Sequence, residues 1–295
     1  RWRVDAGARF MRLWPAGDRI FIFSLSGDAV SWGPQGDPYQ HILAPGVIDA
    51  QVFARGDRVA TLGGGVVVVW DAASGQALQR LAIDGRARHL RVLGERRLAT
   101  WGMRAATQIW DLATGSPRHE LRGQMFLLEV SPDGATLATM AYSGEAVCIW
   151  DAATGRLLHE LRVPGYTFRQ ATVSHGGARV VAEASGQLFV WDGITGELRR
   201  RLTLRGVLQL FPGARRVAAI GASEAAVWDA ASGERLPLES DARLLELLTA
   251  DPGRLTITMS SCGHVVAACS DRRAEDGTFH LVLAMWDARS GRLLL

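Results

Sequence analysis

WDAATGRLLHELR, residues 150–162, and its near copy WDLATGSPRHELR, residues 110–122, decide how the chain is read. Each opens on Trp-Asp, passes through a turn and ends on an alternating run that carries a His-Glu pair. An adjacent His and Glu suggests acid-base chemistry, whereas a recurring turn suggests scaffold. In an extended strand successive side chains project to opposite faces. His159 then points with Leu157 and Leu161, and Glu160 points the other way with Leu158 and Arg162. The two are poorly placed to act as one acid-base pair. His119-Glu120 marks the same outer strand of the preceding repeat, not a second half of an active site.

Working outward, Trp-Asp recurs at Trp70, Trp110, Trp150, Trp191, Trp228 and Trp286, with Trp32-Gly33 as a degenerate seventh. Successive tryptophans lie 38, 40, 40, 41, 37 and 58 residues apart, a period near 40 with one expanded unit. Every strict pair opens Asp-x-x-[Ser/Thr]-Gly, as in DAASG, DLATG, DAATG, DGITG and DARSG. Asp and Ser/Thr can bond nearby backbone N–H groups, and Gly takes the positive φ that closes a hairpin. A β-rich run such as VVVVW or QLFVW precedes this turn, and an alternating run such as RLLHELR follows it. A second turn recurs earlier in each unit, in FARGDR, SPDGAT, SHGGAR, FPGARR and SSCGHV.

Each unit therefore reads as four short strands, a to d, in one antiparallel meander. A single meander cannot bury both faces, but seven stacked around an axis can. The chain is expected to be all-β, a single seven-bladed β-propeller with four antiparallel strands per blade. The blades fall near 6–44, 45–84, 85–123, 124–164, 165–204, 205–240 and 254–295, with an insertion at 240–253.

Composition narrows the chemistry. Of 295 residues, 48 % are hydrophobic and 21 % charged, with a net charge of +3. The chain has no Lys and no Asn, a pattern expected of a GC-rich, bacterial genome. Without Lys there is no Walker A loop, no kinase strand lysine and no pyridoxal Schiff base. Without Asn there is no N-glycosylation. Arginines and acids are interspersed, which argues against nucleic acid as a partner. No apolar run is long enough to cross a bilayer as a helix, and a cytoplasmic location is expected. The opening RWRVDAGARF lacks an initiator Met and a signal-peptide core, as expected at the cut edge of a longer protein. Cys148, Cys262 and Cys269 are too few for a disulfide framework. Cys262, His264 and Cys269 are too spread along a strand to share an ion, so no metal site and no cofactor is expected.

The repeats resemble those of the WD40 propeller family over essentially the whole chain. The family's Gly-His at the d-to-a junction is missing: Asp84-Gly85-Arg86, Gly123-Gln124, Gly165-Tyr166 and Gly206-Val207 stand there. Its Asp before the Trp is missing too, with Gly144 in that place, so the family's Asp-His-Ser-Trp network cannot form as usual. Quinoprotein-type propellers share the Asp-x-x-Thr-Gly turn but place a Trp after it, where this chain has Leu or Arg.

The resemblance implies a non-enzymatic interaction scaffold or sensor module in signalling. It would hold a protein partner, or an adjacent domain of its own chain, on the face shared by the d–a and b–c loops. In GC-rich bacteria such propellers are often fused to signalling ATPases, kinases or caspase-like proteases. Partner-binding candidates on that face are Trp101, Met103, Arg104, Tyr142 and Tyr166, because aromatics and Arg dominate interface energetics. The expanded interval adds Leu244, Leu245 and Leu248 in a short amphipathic element and Arg272-Arg273 at a basic tip. There TITMSSCGHVVAACS aligns as strands a and b of the seventh blade; a rival alignment takes RLLELLTADPGRLTITM instead. Either Arg1–Val4 or Arg292–Leu295 could complete the seam. No His-Glu-x-x-His, Gly-x-Ser-x-Gly or helix-opening GxGxxG is present, so no catalytic residue is assigned. The alternative is a propeller enzyme or small-ligand binder that uses its central channel.

Overall fold

The computed structural model describes residues 10–16, 19–24, 28–32, 38–43, 46–102, 105–123, 125–141, 143–204, 206–211, 213, 215–250, 255–260, 264–273 and 279–295. It divides into two compact units, Arg1–Tyr142 with Trp150–Leu158, and Ser143–Ile149 with His159–Leu295.

The first unit holds three complete antiparallel sheets, each paired in chain order. The first is β1 (Phe10–Ala16), β2 (Arg19–Ser24), β3 (Asp28–Trp32) and β4 (Pro38–Leu43). The second is β5 (Val47–Phe53), β6 (Arg58–Gly63), β7 (Val66–Asp71) and β8 (Ala77–Ala82). The third is β9 (His89–Leu93), β10 (Arg97–Gly102), β11 (Ala105–Asp111) and β12 (Pro117–Leu121). A further sheet has the order β13 (Met125–Val130), β14 (Thr136–Ala141), β15 (Val147–Asp151) and β16 (Leu157–Leu161).

The second unit carries β17 (Gln170–Val173), β18 (Arg179–Ala184), β19 (Gln187–Asp192) and β20 (Leu198–Thr203) as one sheet. The next is β21 (Val207–Leu210), β22 (Arg216–Ile220), β23 (Ala225–Asp229) and β24 (Arg235–Pro237). Helix α1 (Ala242–Thr249) follows, then a three-stranded sheet of β25 (Thr256–Met259), β26 (Val265–Arg273) and β27 (Phe279–Asp287). Each sheet begins and ends inside one of the sequence repeats.

The Trp-Asp step has a structural reason. The ladder between the third and fourth strands shifts register at Ser31/Trp32, Val69/Trp70, Ile109/Trp110 and Val190/Trp191. Such a bulge bends the strand and raises its twist just before the turn. Trp32 keeps the shift although Gly33 replaces the Asp.

Three of the tryptophans are tied to the second strand of their own sheet. Trp70, Trp110 and Trp150 donate Nε1–H to Thr61, Thr100 and Thr139 Oγ1 at 2.8, 2.9 and 2.8 Å. The sequence marks these bonds by a Thr two residues beyond the Trp's cross-strand partner. Ala182 and Ala219 hold that position in the next two sheets. Thr139→Val would orphan a buried indole N–H, an expected loss of about 1–3 kcal/mol in urea denaturation.

First strands of successive sheets are joined by side chains. Buried Asp49 on β5 accepts from the Leu90 N–H at 2.9 Å, and Gln51 accepts from Val92 at 2.8 Å. In the second unit Gln170 donates to the Leu208 carbonyl at 3.2 Å and accepts from the Leu210 N–H at 3.3 Å. The amide and carboxylate satisfy backbone groups that have no ladder partner there.

The expanded interval resolves in favour of TITM and VVAACS as first and second strands, because Ala242–Thr249 is a helix and not a strand. Asp241 caps it, its side chain accepting from the Leu244 N–H at 2.7 Å. At the C-terminal end, Leu293 bridges Trp286 and Met285 N–H donates to the Leu295 carbonyl at 2.8 Å. Arg292–Leu295 thus runs back beside β27, joined to it by an isolated antiparallel bridge. Arg1–Val4 lies outside the described residues.

Candidate functional site

The two ends of each sheet do different things. At one end the first and third turns meet. Ala72, Leu112, Ala152, Gly193, Ala230 and Ala288 donate N–H to carbonyls of the preceding turn in their own sheet at 2.7–3.0 Å. The Asp after each Trp gathers its own loop: Asp151 Oδ1 accepts from Ala153 N, Thr154 N and Thr154 Oγ1 at 2.9, 2.7 and 2.9 Å. Asp71 and Asp287 repeat that triple set with Ser74 and Ser290.

These donors hold the Asp carboxyls below their ordinary value of 3.8. At Asp71, Asp111, Asp192 and Asp287 the leading cause is the N–H three residues on. At Asp151 and Asp229 partial burial pushes upward but is outweighed by the same loop donors. A carboxyl whose folded pKa is depressed adds stability above its unfolded pKa and loses it as pH falls through the folded one. Six such groups predict an unfolding midpoint that drops steeply below about pH 4 with proton uptake. A midpoint flat down to pH ~3 would contradict it.

The His-Glu motif belongs to this end. His119 Nε2 lies 2.8 Å from the carbonyl of Ala153, and His159 Nε2 lies 2.9 Å from that of Ile194. Each ring sits against the turn glycine of the next repeat: a Cβ on Gly155 would meet the His119 ring, and one on Gly196 the His159 ring. Gln79 faces Gly115 and Arg200 faces Gly233 in the same way, each nine residues after its Trp. The rings therefore stitch one repeat to the next. Glu160 instead pairs with Arg162 at 2.5 Å.

A cleft of about 640 Å³ opens at this end of the first unit, lined by Ala54, Asp57, Arg58, Asp71, Ala73, Glu95 and Arg96. Asp71 in its wall is committed to its own turn. Among the described residues no group of three His, Cys, Asp or Glu is arranged to hold a metal. Burial pushes the Cys148 thiol up to about 11, which removes it as a nucleophile at neutral pH. Cys262 lies outside the described residues.

At the other end the d–a and b–c connections meet. Ile83 N–H donates to Gly65 O at 2.9 Å, Arg88 N–H to Trp101 O at 2.9 Å, Phe168 N–H to Gly144 O at 2.7 Å and Leu204 N–H to Gly186 O at 2.9 Å. Several of the sequence candidates stand here in altered roles. Trp101 is only 6 % exposed, because β10 runs on to Gly102 and carries the indole inside. Its ring stacks under His89 at 5.2 Å, and Nε1 is buried without a partner among the described residues. It is not a solvent-facing anchor. Tyr166 is half-buried, edge-on to Phe189 at 4.9 Å, with the Arg201 guanidinium 4.8 Å from its ring and bonded to its hydroxyl. Met103, Arg104 and Tyr142 lie outside the described residues.

Leu245 and Leu248 correct a second expectation. Both are buried in a core with Trp286, Val266 and Ile257, and Leu244 packs against that core. The helix turns its apolar stripe inward and leaves Arg243 and Glu246 outside. Arg272 and Arg273 extend β26, paired in backbone register with His280 and Phe279, where a loop tip was expected. What the sequence reading missed on this end is Arg86 and Arg88, exposed in the loop between β8 and β9.

With both ends described, the comparisons with known proteins add one result. No family model matches the chain, and no curated protein matches it. Among solved structures it is similar to the crystal structure of the computationally designed Ika8 protein. That likeness has a TM-score of 0.72 at 19 % identity and covers 98 % of this chain and 87 % of that one. It bears on fold alone: a succession of antiparallel β-sheets.

Proposed function

We propose that the chain is a divergent WD40-type propeller of seven blades that acts as a non-enzymatic interaction module. It binds a protein partner, or an adjacent part of its own polypeptide, through the face where the d–a and b–c loops meet. The observation that carries this reading is the division of labour between the two ends of each sheet. The polar groups of the recurring turns are spent on their own loops and on the next repeat, whereas the loop end leaves Asp84, Arg86, Arg88 and Arg122 exposed. Loops carried on a rigid β scaffold are where binding residues concentrate.

Blocking each end in turn tests it. Gly85 has open space around it on the loop side, and Ala113 is exposed on the turn side. Gly85→Trp should reduce co-purification of the natural partner about tenfold or more, with Ala113→Trp near wild type. Loss with Ala113→Trp and retention with Gly85→Trp would reverse the assignment.

A further inference from the structure

Among the described side chains of the first unit, charge is not shared evenly between the two ends. On the turn side stand the carboxylates Asp57, Asp71, Glu95, Asp111, Asp133 and Asp151. Against them stand the guanidiniums of Arg58, Arg96, Arg97, Arg118 and Arg156. Several of these meet: Arg118 bonds Asp111 at 2.7 Å, and the positive charges of Arg58 and Arg97 act on Asp71 and Asp151. That side is close to neutral.

The loop side is different. Its described d–a and b–c connections carry Arg86, Arg88 and Arg122, all exposed, against the single carboxylate of Asp84. Asp84 is turned back on its own loop, accepting from the Arg86 N–H at 2.9 Å. Among the described residues none of the three arginines has a carboxylate within salt-bridge distance. Arg88 Nη1 touches only the carbonyls of Gly85 and Ala87, at 2.8 and 3.0 Å, and those bonds fix the guanidinium beside the loop. Next to it His89, more than half exposed, lies tilted by 31° over the buried Trp101 ring. The connection at Gly64-Gly65 is bare backbone: Gly64 has nothing within 4 Å of a Cβ position, and Gly65 approaches Gly85 at 3.4 Å.

We infer that this corner, centred on Arg86 and Arg88, binds an acidic segment of a protein, with its Asp and Glu carboxylates seated on the two guanidiniums. The inference rests on the loop-side reading above and adds the chemistry of what is held. Arg is suited to the task because its planar donors match a carboxylate in two parallel bonds. Nucleic acid fits less well: a phosphate backbone calls for a continuous track of cations, often with stacking rings. Here the cations are few and Asp84 stands among them.

The test uses the whole chain and a labelled Asp/Glu-rich peptide of about ten residues, followed by fluorescence anisotropy. Saturable binding is expected that weakens as salt rises from about 0.05 to about 0.3 M. Arg86→Glu with Arg88→Glu should weaken it roughly tenfold or more. The control pair, Arg96→Glu with Arg156→Glu on the turn side, should change it less than about twofold. Circular dichroism of both double variants establishes that each is folded. No saturable binding, an equal loss in the control pair, or stronger binding of a single-stranded oligonucleotide of like charge would each overturn the inference. If the peptide fails while Gly85→Trp still releases the natural partner, the acidic chemistry is wrong and the loop-side reading stands.

Discussion

Trp286→Ala is expected to cost about 3–5 kcal/mol of folding stability, the range for deleting a fully buried indole. Trp286 is 0 % exposed and lies in one core with Leu245, Leu248, Ile257, Val266 and Ala284. Its Nε1–H donates to the Glu239 carbonyl at 2.7 Å, so the substitution also leaves a backbone acceptor without its partner. The cavity falls in the core that β26 and β27 share with α1. Equilibrium denaturation should show the loss, and hydrogen exchange should show α1 opening first. A cost below about 1 kcal/mol would mean the helix does not pack as described.

Gly193→Ala is the second large effect. A Cβ there would fall on the carbonyl oxygen of Gly177, backbone that cannot swing aside as a side chain does. Relieving the clash would separate two turns that Gly193 N–H holds to Ala178 O at 3.0 Å. A loss of about 3 kcal/mol or more follows from forced backbone displacement together with a broken bond. Gly85→Ala is the matched control. No atom lies within 4 Å of its Cβ position and its φ is not in the left-handed region, so the change should stay within about 0.5 kcal/mol. Equal effects would show that the Gly177 carbonyl does not bar a side chain at position 193.

Much of the scaffold was legible because it is local. The Trp-Asp period, the Asp-x-x-[Ser/Thr]-Gly turn and its closing glycine all lie within a few residues, where spacing and residue type act directly. The second turn was visible for the same reason. Contacts between repeats were not. That His119 and His159 lean on the next repeat's turn depends on residues 34 and 35 positions away. Alternation placed the rings on the correct side of the strand but named no partner. Asp49 and Gln51 bond the first strand of the next sheet, 41 residues on, and nothing in their local sequence points there.

The site was less legible than the fold. Trp101 looked like a loop residue because TWGMRAAT resembles a turn, yet two more residues of strand are enough to bury it. The leucines of α1 were recognised as an amphipathic stripe, but the pattern does not say whether a stripe faces a partner or the protein's own core. Arg86 and Arg88 carried no signal beyond being arginines. Their significance appears only when the paired charges of the opposite end are set beside them.

The central claim is that the turn end is scaffold and the loop end is the working surface. Site-specific photo-crosslinking tests it most directly. A photoreactive side chain is placed at Arg86 and Glu145 on the loop side, and at Ala113 and Ala231 on the turn side, all exposed positions. After irradiation in the cells that make the protein, the two loop positions should give discrete crosslinked species and the two turn positions none. Crosslinks from Ala113 and Ala231 with silence at Arg86 and Glu145 would contradict the account.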